Sequence, residues 1–353
     1  MSAPTNRGFW QDNVGVPSAI RETPVPTELK EGEILIKAGA WGMNPVDAYL
    51  QVVALPFLTY PLIPGEDVSG TVEAVGSGAA AQKFKPGDRV VGHAVSSPSS
   101  NGATTSRGAF QEHVALDSRV TTKIPDGVGF AEAAVFPLCI ATAAFGLFGK
   151  EYLGLPPPKV GGAPSVGKTL LVWGGASGVG SNAIQLARVA GFDVVTTCSA
   201  RNFAYVRALG ADKAFDYASA TAVDDVVAEI DGRTCVGILQ AAGPRDGVAP
   251  CLQVSLKSKQ TLFVACANLV PEGAVPEGVE AKFLLGTGDG FRAYHETTSM
   301  IFTEFLPKAL RDGSYKVAPK PEVVPTKGLE GIQSALDILR NGVSAKKIVV
   351  EAE

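Results

Sequence analysis

The chain has 353 residues, which is enough for two hydrophobic cores, and its 31 basic and 35 acidic residues leave a net charge of −4. This balance gives no support for a nucleic-acid partner, because proteins of that class concentrate positive charge. Five cysteines form no CxxC pair, and the first residues lack a basic segment followed by an apolar one. We therefore expect a cytoplasmic protein that has no membrane partner.

Residues 1–127 contain short β-like runs separated by turn-forming residues. The clearest runs are 33–37, 68–75, 88–92 and 110–115. Short strands with frequent turns are typical of a compact and mostly β domain.

Residues 128–310 alternate between helical and strand patterns, which is typical of a doubly wound parallel sheet. The apolar run 133–146 is short and contains Pro137, so a buried helix is expected there in preference to a membrane span. Beyond residue 310 the chain returns to β-like material ending at 346–351. We predict a first domain of residues 1–127 completed by 311–353, and a second domain of residues 128–310.

Two phosphate-binding patterns follow each other closely. Residues 162–169 match the P-loop G-x-x-x-x-G-K-[ST], and residues 175–180 read as a dinucleotide-binding turn. A P-loop must follow a buried strand and open a helix, but the prolines at 156–158 precede this one and the apolar strand 168–173 follows it. We therefore expect the P-loop match to be accidental.

The second pattern has the flanks that the first lacks. A strand at 168–173 precedes the glycines, a helix with Gly191 as its stop follows them, and a β-rich run at 192–198 completes a βαβ unit. A dinucleotide site is the interpretation that we favour, and a glycine-rich turn without a ligand is the alternative.

The end of the second strand bears on which nicotinamide cofactor binds. NAD enzymes of this fold usually place a carboxylate there, whereas residues 197–202 read TCSARN. A hydroxyl, a guanidinium and an amide are available for a 2′-phosphate, so NADPH is favoured. The alternative is that Ser199 or Asn202 only caps a helix.

Four segments stand in an order that resembles the medium-chain dehydrogenase/reductase superfamily. They are GMNPVD at 42–47, PGEDVSG at 64–70, KPGDRV at 85–90 and the βαβ unit at 174–202. The match spans nearly the whole chain, and it implies an α/β architecture with a GroES-like substrate domain around a Rossmann domain.

Within that superfamily, TCSARNF at 197–203 and FDY at 215–217 most resemble the fungal trans-acting enoyl reductases of the lovastatin-pathway kind. Quinone oxidoreductases are the next most similar group. The resemblance implies NADPH as the cofactor, with an enoyl or quinone compound as substrate.

The resemblance also implies site residues. The pyrophosphate turn would use Ala176, Ser177, Gly178 and Val179. The 2′-phosphate would meet Ser199, Arg201, Asn202 and Tyr217. Further cofactor contacts would come from Asn44, Val46, Asp47, Cys266, Ala267, Ser344 and Ala345. The substrate channel, lined by 142–149 and 286–290, would include Thr142, Phe145, Gly149, Gly286, Thr287 and Gly290.

A catalytic zinc is not expected. Zinc-dependent relatives hold the metal with a cysteine near the Asn44 stretch and with the histidine of a Gly-His-Glu motif, where this chain has Asn44 and Glu66. His93, His113 and His295 are scattered along the sequence and are expected to be surface or core residues. Without a Lewis acid, carbonyl reduction loses its usual mechanism, whereas conjugate reduction does not need one.

Tyr49 departs from the fungal group, many of whose members have lysine there. Quinone-reductase and enoyl-thioester-reductase relatives often have tyrosine at this position, so Tyr49 is the candidate catalytic donor, with a packing role as the alternative. The sequence thus predicts an NADPH-dependent, zinc-independent reductase of activated C=C bonds, whose substrate a synthase partner could carry. A quinone oxidoreductase is one alternative, and a non-catalytic NADPH-binding protein is another.

Overall fold

A computed structural model describes residues 5–54, 59–94, 107–159, 161–242, 247–285 and 296–353. The chain divides into two compact units, which are Met1–Leu138 with Ala309–Glu353, and Cys139–Lys308.

The secondary structure is numbered in chain order. The strands are β1 Thr5–Trp10, β2 Ala19–Pro24, β3 Glu33–Gly42, β4 Asp67–Val75, β5 Arg89–His93, β6 His113–Asp117, β7 Thr121–Lys123, β8 Thr169–Trp173, β9 Asp193–Cys198, β10 Lys213–Asp216, β11 Cys235–Gln240, β12 Val264–Cys266, β13 Ala281–Phe283, β14 Lys320–Val323 and β15 Lys346–Glu351. The α-helices are α1 Pro45–Tyr49, α2 Phe130–Ala133, α3 Pro137–Phe148, α4 Gly178–Val189, α5 Phe203–Ala208, α6 Ala222–Asp231, α7 Val248–Lys257, α8 Leu306–Asp312 and α9 Ile332–Arg340.

The first unit is built on a sheet of order β14-β15-β3-β4-β5-β7, with β6 also paired to β3. Strand β15 runs antiparallel to β3, so the C-terminal segment does rejoin the first domain. The unit ends after residue 138 rather than 127, because α2 packs on β3, β4 and β15.

Two elements of the first unit differ from the sequence-based expectation. Strand β6 covers His113–Asp117 rather than 110–115, because the amide of Phe110 bonds to the carbonyl of Pro64 outside the sheet. The region after residue 310 is not only β-like, since it contains α9. Ile332, Ala335 and Leu336 form the buried face of α9 at helical spacing.

The second unit contains a six-stranded parallel sheet of order β10-β9-β8-β11-β12-β13. This is the 3-2-1-4-5-6 order of the Rossmann fold. Every residue of β8 is buried, as a central strand covered by helices on both faces requires. The predicted α/β architecture is confirmed.

The apolar segment Phe130–Phe148 is long and hydrophobic enough to cross a membrane by length and composition alone, but 72% of it is buried inside the protein. Helix α3 forms most of this segment. The prediction of a buried helix is therefore confirmed.

The P-loop match at 162–169 lacks the structure of a P-loop. Thr169 opens strand β8, and the helix that follows the sheet edge, α4, begins only at Gly178. Lys168 therefore lies before the strand, where no helix N-terminus can converge with its ammonium on one phosphate.

We expect Lys168→Ala to leave turnover nearly intact, because this side chain has no phosphate to bind. ATP is expected neither to bind nor to be hydrolysed. Steady-state turnover and phosphate release by the variant and the parent test this. ATPase activity that the substitution abolishes would contradict it.

Candidate active site

In the turn between β8 and α4, the start of the helix packs closely against the end of the strand. Gly174 has a φ of +89°, in the region that favours glycine, and a Cβ on Gly180 would stand 2.3 Å from the carbonyl oxygen of Gly174. A Cβ on Gly175 would stand 2.1 Å from Thr196 Oγ1. The sequence therefore needs glycine here to join strand and helix tightly.

Helix α4 points its N-terminus at this turn. The Ser177 side chain accepts a hydrogen bond from the amide of Gly180 at 3.0 Å, which caps the helix. The amides of Gly178 and Val179 precede that of Ser181, the first to donate within the helix (to the Ser177 carbonyl, at 2.9 Å), so they remain available for an anion. Of the predicted pyrophosphate residues, Ser177 thus supports the helix end, and the two after it present donors.

The edge of the same sheet carries a cluster of polar side chains at the end of β9. Ser199 Oγ lies 2.8 Å from the hydroxyl of Tyr217, a residue 18 positions later in the sequence, and the two groups form a hydrogen bond. Arg201 is exposed and forms no ion pair within the described part of the chain. Asn202 follows it in the same short 3₁₀ turn, Ala200–Asn202. The structure thus brings the four predicted 2′-phosphate residues onto one edge.

Asp216, which the sequence argument did not consider, also reaches this edge. It ends β10 and pairs in register with Cys198 of β9. Its Oδ1 atom accepts a hydrogen bond from the amide of Ala218 at 3.0 Å. Burial raises the pKa of the Cys198 thiol to about 11, and the Asp216 charge adds to that shift.

The ends of β11 and β12 form the next part of this sheet edge. The amide of Ala267 donates to the carbonyl of Gln240 at 2.8 Å, and the amide of Asn268 donates to Gln240 Oε1 at 3.1 Å. Cys266 is buried, and burial raises the pKa of its thiol to about 12, so it is a neutral packing group. Cys266 ends β12 and Ala267 follows it, at the C-terminal edge of the parallel sheet, where ligands of this fold bind.

In the first unit, α1 carries three of the predicted residues. Asn44 precedes the helix, and its amide donates to Asp47 Oδ2 at 2.7 Å. Both side chains are buried. Tyr49 ends the helix and is 41% exposed, and its hydroxyl has no hydrogen-bond partner in the described residues.

A buried ammonium stands beside α1. Lys347 Nζ donates to Asp67 Oδ2 at 2.7 Å and also to Asn44 Oδ1, while Asn44 Nδ2 donates to the same Asp67 oxygen at 3.0 Å. The second Asp67 oxygen accepts from the amide of Leu138 at 2.6 Å. These contacts connect β15, β4 and α1 through one hydrogen-bonded ion pair.

A second buried pair adjoins the first. His93 Nε2 lies 2.8 Å from Glu66 Oε2, and the histidine side chain is only 3% exposed. Burial raises the pKa of Asp47 well above its usual range, and the negative charges of Glu66 and Asp67 raise it further. The sequence predicts His93 as a surface or core residue, and no sequence pattern indicates its pairing with Glu66.

Comparison with known proteins identifies the chain. Residues 30–126 match the family model of the alcohol dehydrogenase GroES-like domain, and residues 178–276 match that of the zinc-binding dehydrogenases. Dehydrogenase azaJ of Aspergillus niger is 43% identical over 340 residues, which covers 94% of each chain. The chain belongs to the medium-chain dehydrogenase/reductase superfamily.

Other members of the superfamily agree with this assignment. Trans-enoyl reductase himH of Aspergillus japonicus is 36% identical over 352 residues, covering 99% of this chain and 98% of that protein. The solved quinone oxidoreductase of Coxiella burnetii has a TM-score of 0.69 at 23% identity, covering 99% of this chain and all of that one. The protein is therefore an oxidoreductase of this superfamily, whose Rossmann unit binds a nicotinamide cofactor.

The glycine turn fits that cofactor, because its close-packed backbone and the open amides of α4 suit a pyrophosphate. The residues present do not fit the zinc that the medium-chain dehydrogenase/reductase superfamily includes. Among the described residues, no group of three histidine, cysteine or carboxylate side chains could hold a metal ion. The Lys347 ammonium also places a positive charge between Asn44 and Asp67, which opposes a second cation.

The structure shows no shared site for the remaining predicted residues that it describes. Phe145 packs edge-on against Tyr152 with ring centroids 4.9 Å apart, Thr142 is half-buried, and a Cβ on Gly149 would meet the Phe145 carbonyl at 2.5 Å. Ser344 and Ala345 precede β15, and Ala345 has a φ of 53°. The residues that lie outside the described part of the chain are Gly286, Thr287, Gly290 and His295. The contribution of these residues to a substrate channel stays a prediction.

Proposed function

We propose that this protein is an NADPH-dependent, zinc-independent reductase of activated C=C bonds, acting on an α,β-unsaturated thioester or enone. The observation that carries the proposal is the buried Lys347 ammonium held by Asn44 and Asp67. A reaction that needs no Lewis acid suits this donor set better than oxidation of an alcohol or reduction of a ketone does.

Conjugate reduction places specific demands on the protein. When bound, a nicotinamide cofactor would supply a hydride for this reaction. As the β-carbon gains that hydride, the C=C electron pair moves to the α-carbon and the carbonyl oxygen. A hydrogen-bond donor near the oxygen lowers the energy of the resulting enolate. Tyr49 is suited to this role because the residue is exposed and its hydroxyl has no hydrogen-bond partner among the described residues.

NADPH is the proposed cofactor because the end of β9 is built for an anion. Arg201 has no counter-ion in the described structure, and the Ser199 and Tyr217 hydroxyls lie within hydrogen-bond distance of each other. Asp216 is the nearby carboxylate, but it accepts a hydrogen bond from the backbone of its own turn. A 2′-phosphate would supply the charge that Arg201 lacks.

The names of the relatives support enoyl substrates. The himH protein is called a trans-enoyl reductase, and this chain resembles it over nearly its full length. We therefore propose that this protein acts in secondary metabolism, as an enoyl reductase whose substrate is bound to a partner synthase. A cytoplasmic location suits its five buried cysteines, none of which forms a disulfide.

A screen of NADPH oxidation against enoyl thioesters, enones and quinones tests the proposal. We expect turnover with at least one enoyl thioester or enone, together with tighter binding of NADPH than of NADH. Turnover of quinones alone would assign the protein to quinone reduction. NADPH binding without turnover of any of these compounds would indicate a non-catalytic role.

Turnover is also expected to survive removal of metal ions. Asn44 and Glu66 replace the usual zinc ligands, and the Lys347 ammonium beside Asn44 would repel a metal ion. Protein dialysed against a chelator and checked by metal analysis should reduce enoyl substrates at the untreated rate. The prediction is wrong if the chelated protein is inactive and zinc restores it.

A further inference from the structure

Gly175 lies in the glycine turn between β8 and α4, and both of its backbone polar groups are hydrogen-bonded. Its amide donates to the carbonyl of Thr197, near the end of β9, at 2.8 Å. Its carbonyl accepts from Ser181 Oγ, near the start of α4, at 3.3 Å. The turn is therefore attached at this one residue both to the neighbouring strand and to the helix that follows.

The Ser181 hydroxyl extends this connection to α5. Its oxygen lies 2.9 Å from the hydroxyl oxygen of Tyr205, and the two groups form a hydrogen bond. A serine hydroxyl has one proton, and Ser181 donates that proton to the Gly175 carbonyl, so the Tyr205 hydroxyl is the donor in the second bond. Burial raises the pKa of Tyr205 to about 12, so its hydroxyl keeps the proton that it donates. Two successive hydrogen bonds thus connect α5 to the glycine turn.

The two connections of Gly175 enclose the segment that carries three of the predicted 2′-phosphate residues. Thr197 precedes residues 199–202 in the chain, and Tyr205 follows them. The segment leads without a break into α5, because its 3₁₀ turn ends at Asn202 and the helix begins at the next residue. A displacement of α5 from the glycine turn would therefore also move residues 199–202.

We propose that Tyr205 is a positioning residue that gives the site part of its preference for NADPH. Its bond to Ser181 holds residues 199–202 in place relative to the glycine turn, so that one nucleotide can bind its pyrophosphate at the turn and its 2′-phosphate at this segment. The role rests on the NADPH proposed above. NADH has no 2′-phosphate, so its binding depends less on where residues 199–202 lie.

The test measures the dissociation constants of NADPH and NADH for Tyr205→Phe by fluorescence titration. Phenylalanine keeps the ring and removes only the hydroxyl that donates to Ser181. We expect the dissociation constant of NADPH to rise about three- to tenfold, as the net contribution of one hydrogen bond allows, and that of NADH to change by less than about twofold. Turnover at saturating NADPH should stay near the parent value, because Tyr205 acts on binding alone.

Two further variants test whether Tyr205 acts through Ser181 and on the 2′-phosphate site. Ser181→Ala also removes the bond to the Gly175 carbonyl, so it should weaken the binding of both nucleotides, and that of NADPH more. Tyr205→Phe should weaken NADPH binding little further when it is added to Ser181→Ala or to Arg201→Ala, because residues that act together have non-additive effects. Full additivity in both backgrounds would contradict the proposed connection.

Tyr152→Phe is the matched control. Tyr152 belongs to the same unit, and its hydroxyl donates to the carbonyl of Phe283 at 3.1 Å. This variant also loses one tyrosine hydrogen bond, so its melting temperature should fall about as much as that of Tyr205→Phe. Its ratio of NADPH to NADH affinity should stay at the parent value, because the lost bond does not connect the two phosphate-binding segments.

Three outcomes would overturn the inference. If the parent prefers NADPH and Tyr205→Phe keeps the same ratio of affinities, Tyr205 has no positioning role, and the proposed function stands. An equal loss of affinity for both nucleotides, with a melting temperature below that of Tyr152→Phe, would make the hydrogen bond structural. A parent protein that does not prefer NADPH would remove the proposed cofactor, and this role of Tyr205 with it.

Discussion

The Tyr49→Phe enzyme is expected to reduce enoyl substrates about a hundred- to a thousandfold more slowly than the parent, which is the usual effect of removing one oxyanion donor. The hydroxyl has no hydrogen-bond partner among the described residues, and the residue is 41% exposed. Phenylalanine keeps the ring and deletes only the oxygen. Melting temperature and NADPH affinity should therefore change little, and quinones should be affected less. Steady-state kinetics with both substrate classes measure the difference.

Tyr60→Phe is the matched control for that experiment. Tyr60 belongs to the same unit, but its hydroxyl donates to the carbonyl of Leu50 at 2.7 Å, so its role is structural. Its loss should lower stability by about 1 kcal/mol, the usual value for one hydrogen bond, without a selective loss of enoyl turnover. If Tyr49→Phe reduces enoyl substrates at the parent rate, the ring serves packing and another group stabilises the oxygen.

Local sequence patterns were sufficient to predict the βαβ unit that begins with β8. Strand β8, the glycine turn and helix α4 are adjacent in the chain, and each requires residue types that leave few alternatives. The buried run of β8 and the glycine at 180 specify a strand and a close approach without knowledge of distant residues. The same patterns also showed that the P-loop match lacked the elements that a P-loop needs.

The charged cluster of the first unit could not be predicted in this way. Lys347 contacts Asp67 across 280 residues, and His93 contacts Glu66 across 27, with no periodicity that connects either pair. These contacts depend on the pairing of β15 with β3 and of β5 with β4. The sequence shows that Asn44 and Glu66 are not zinc ligands, but their contacts with Asp67 and His93 are known only from the structure.

Replacement of Ser199 by Asp together with Arg201 by Ala is expected to weaken NADPH binding by about a hundredfold or more, and to leave NADH binding nearly unchanged. Hydrogen bonds to charged groups contribute about 1.5–3 kcal/mol each, and about 1.4 kcal/mol corresponds to tenfold in affinity. The introduced carboxylate would also repel a 2′-phosphate, whereas it can accept a hydrogen bond from a 2′-hydroxyl. Fluorescence titration with both nucleotides measures the two dissociation constants.

Single replacements separate the two contributions, because Arg201→Ala removes only the cation, whereas Ser199→Ala removes only a hydroxyl, the one that pairs with the Tyr217 hydroxyl. Arg207→Ala is the matched control, since Arg207 carries the same charge on the following helix but stacks over Phe203 at 5.6 Å. It should leave the preference between the nucleotides unchanged. If the Ser199 and Arg201 double variant retains the parent ratio of NADPH to NADH affinity, the end of β9 does not bind the 2′-phosphate. Asp216, at the end of the neighbouring strand, would then be the next residue to test as a partner of a ribose hydroxyl.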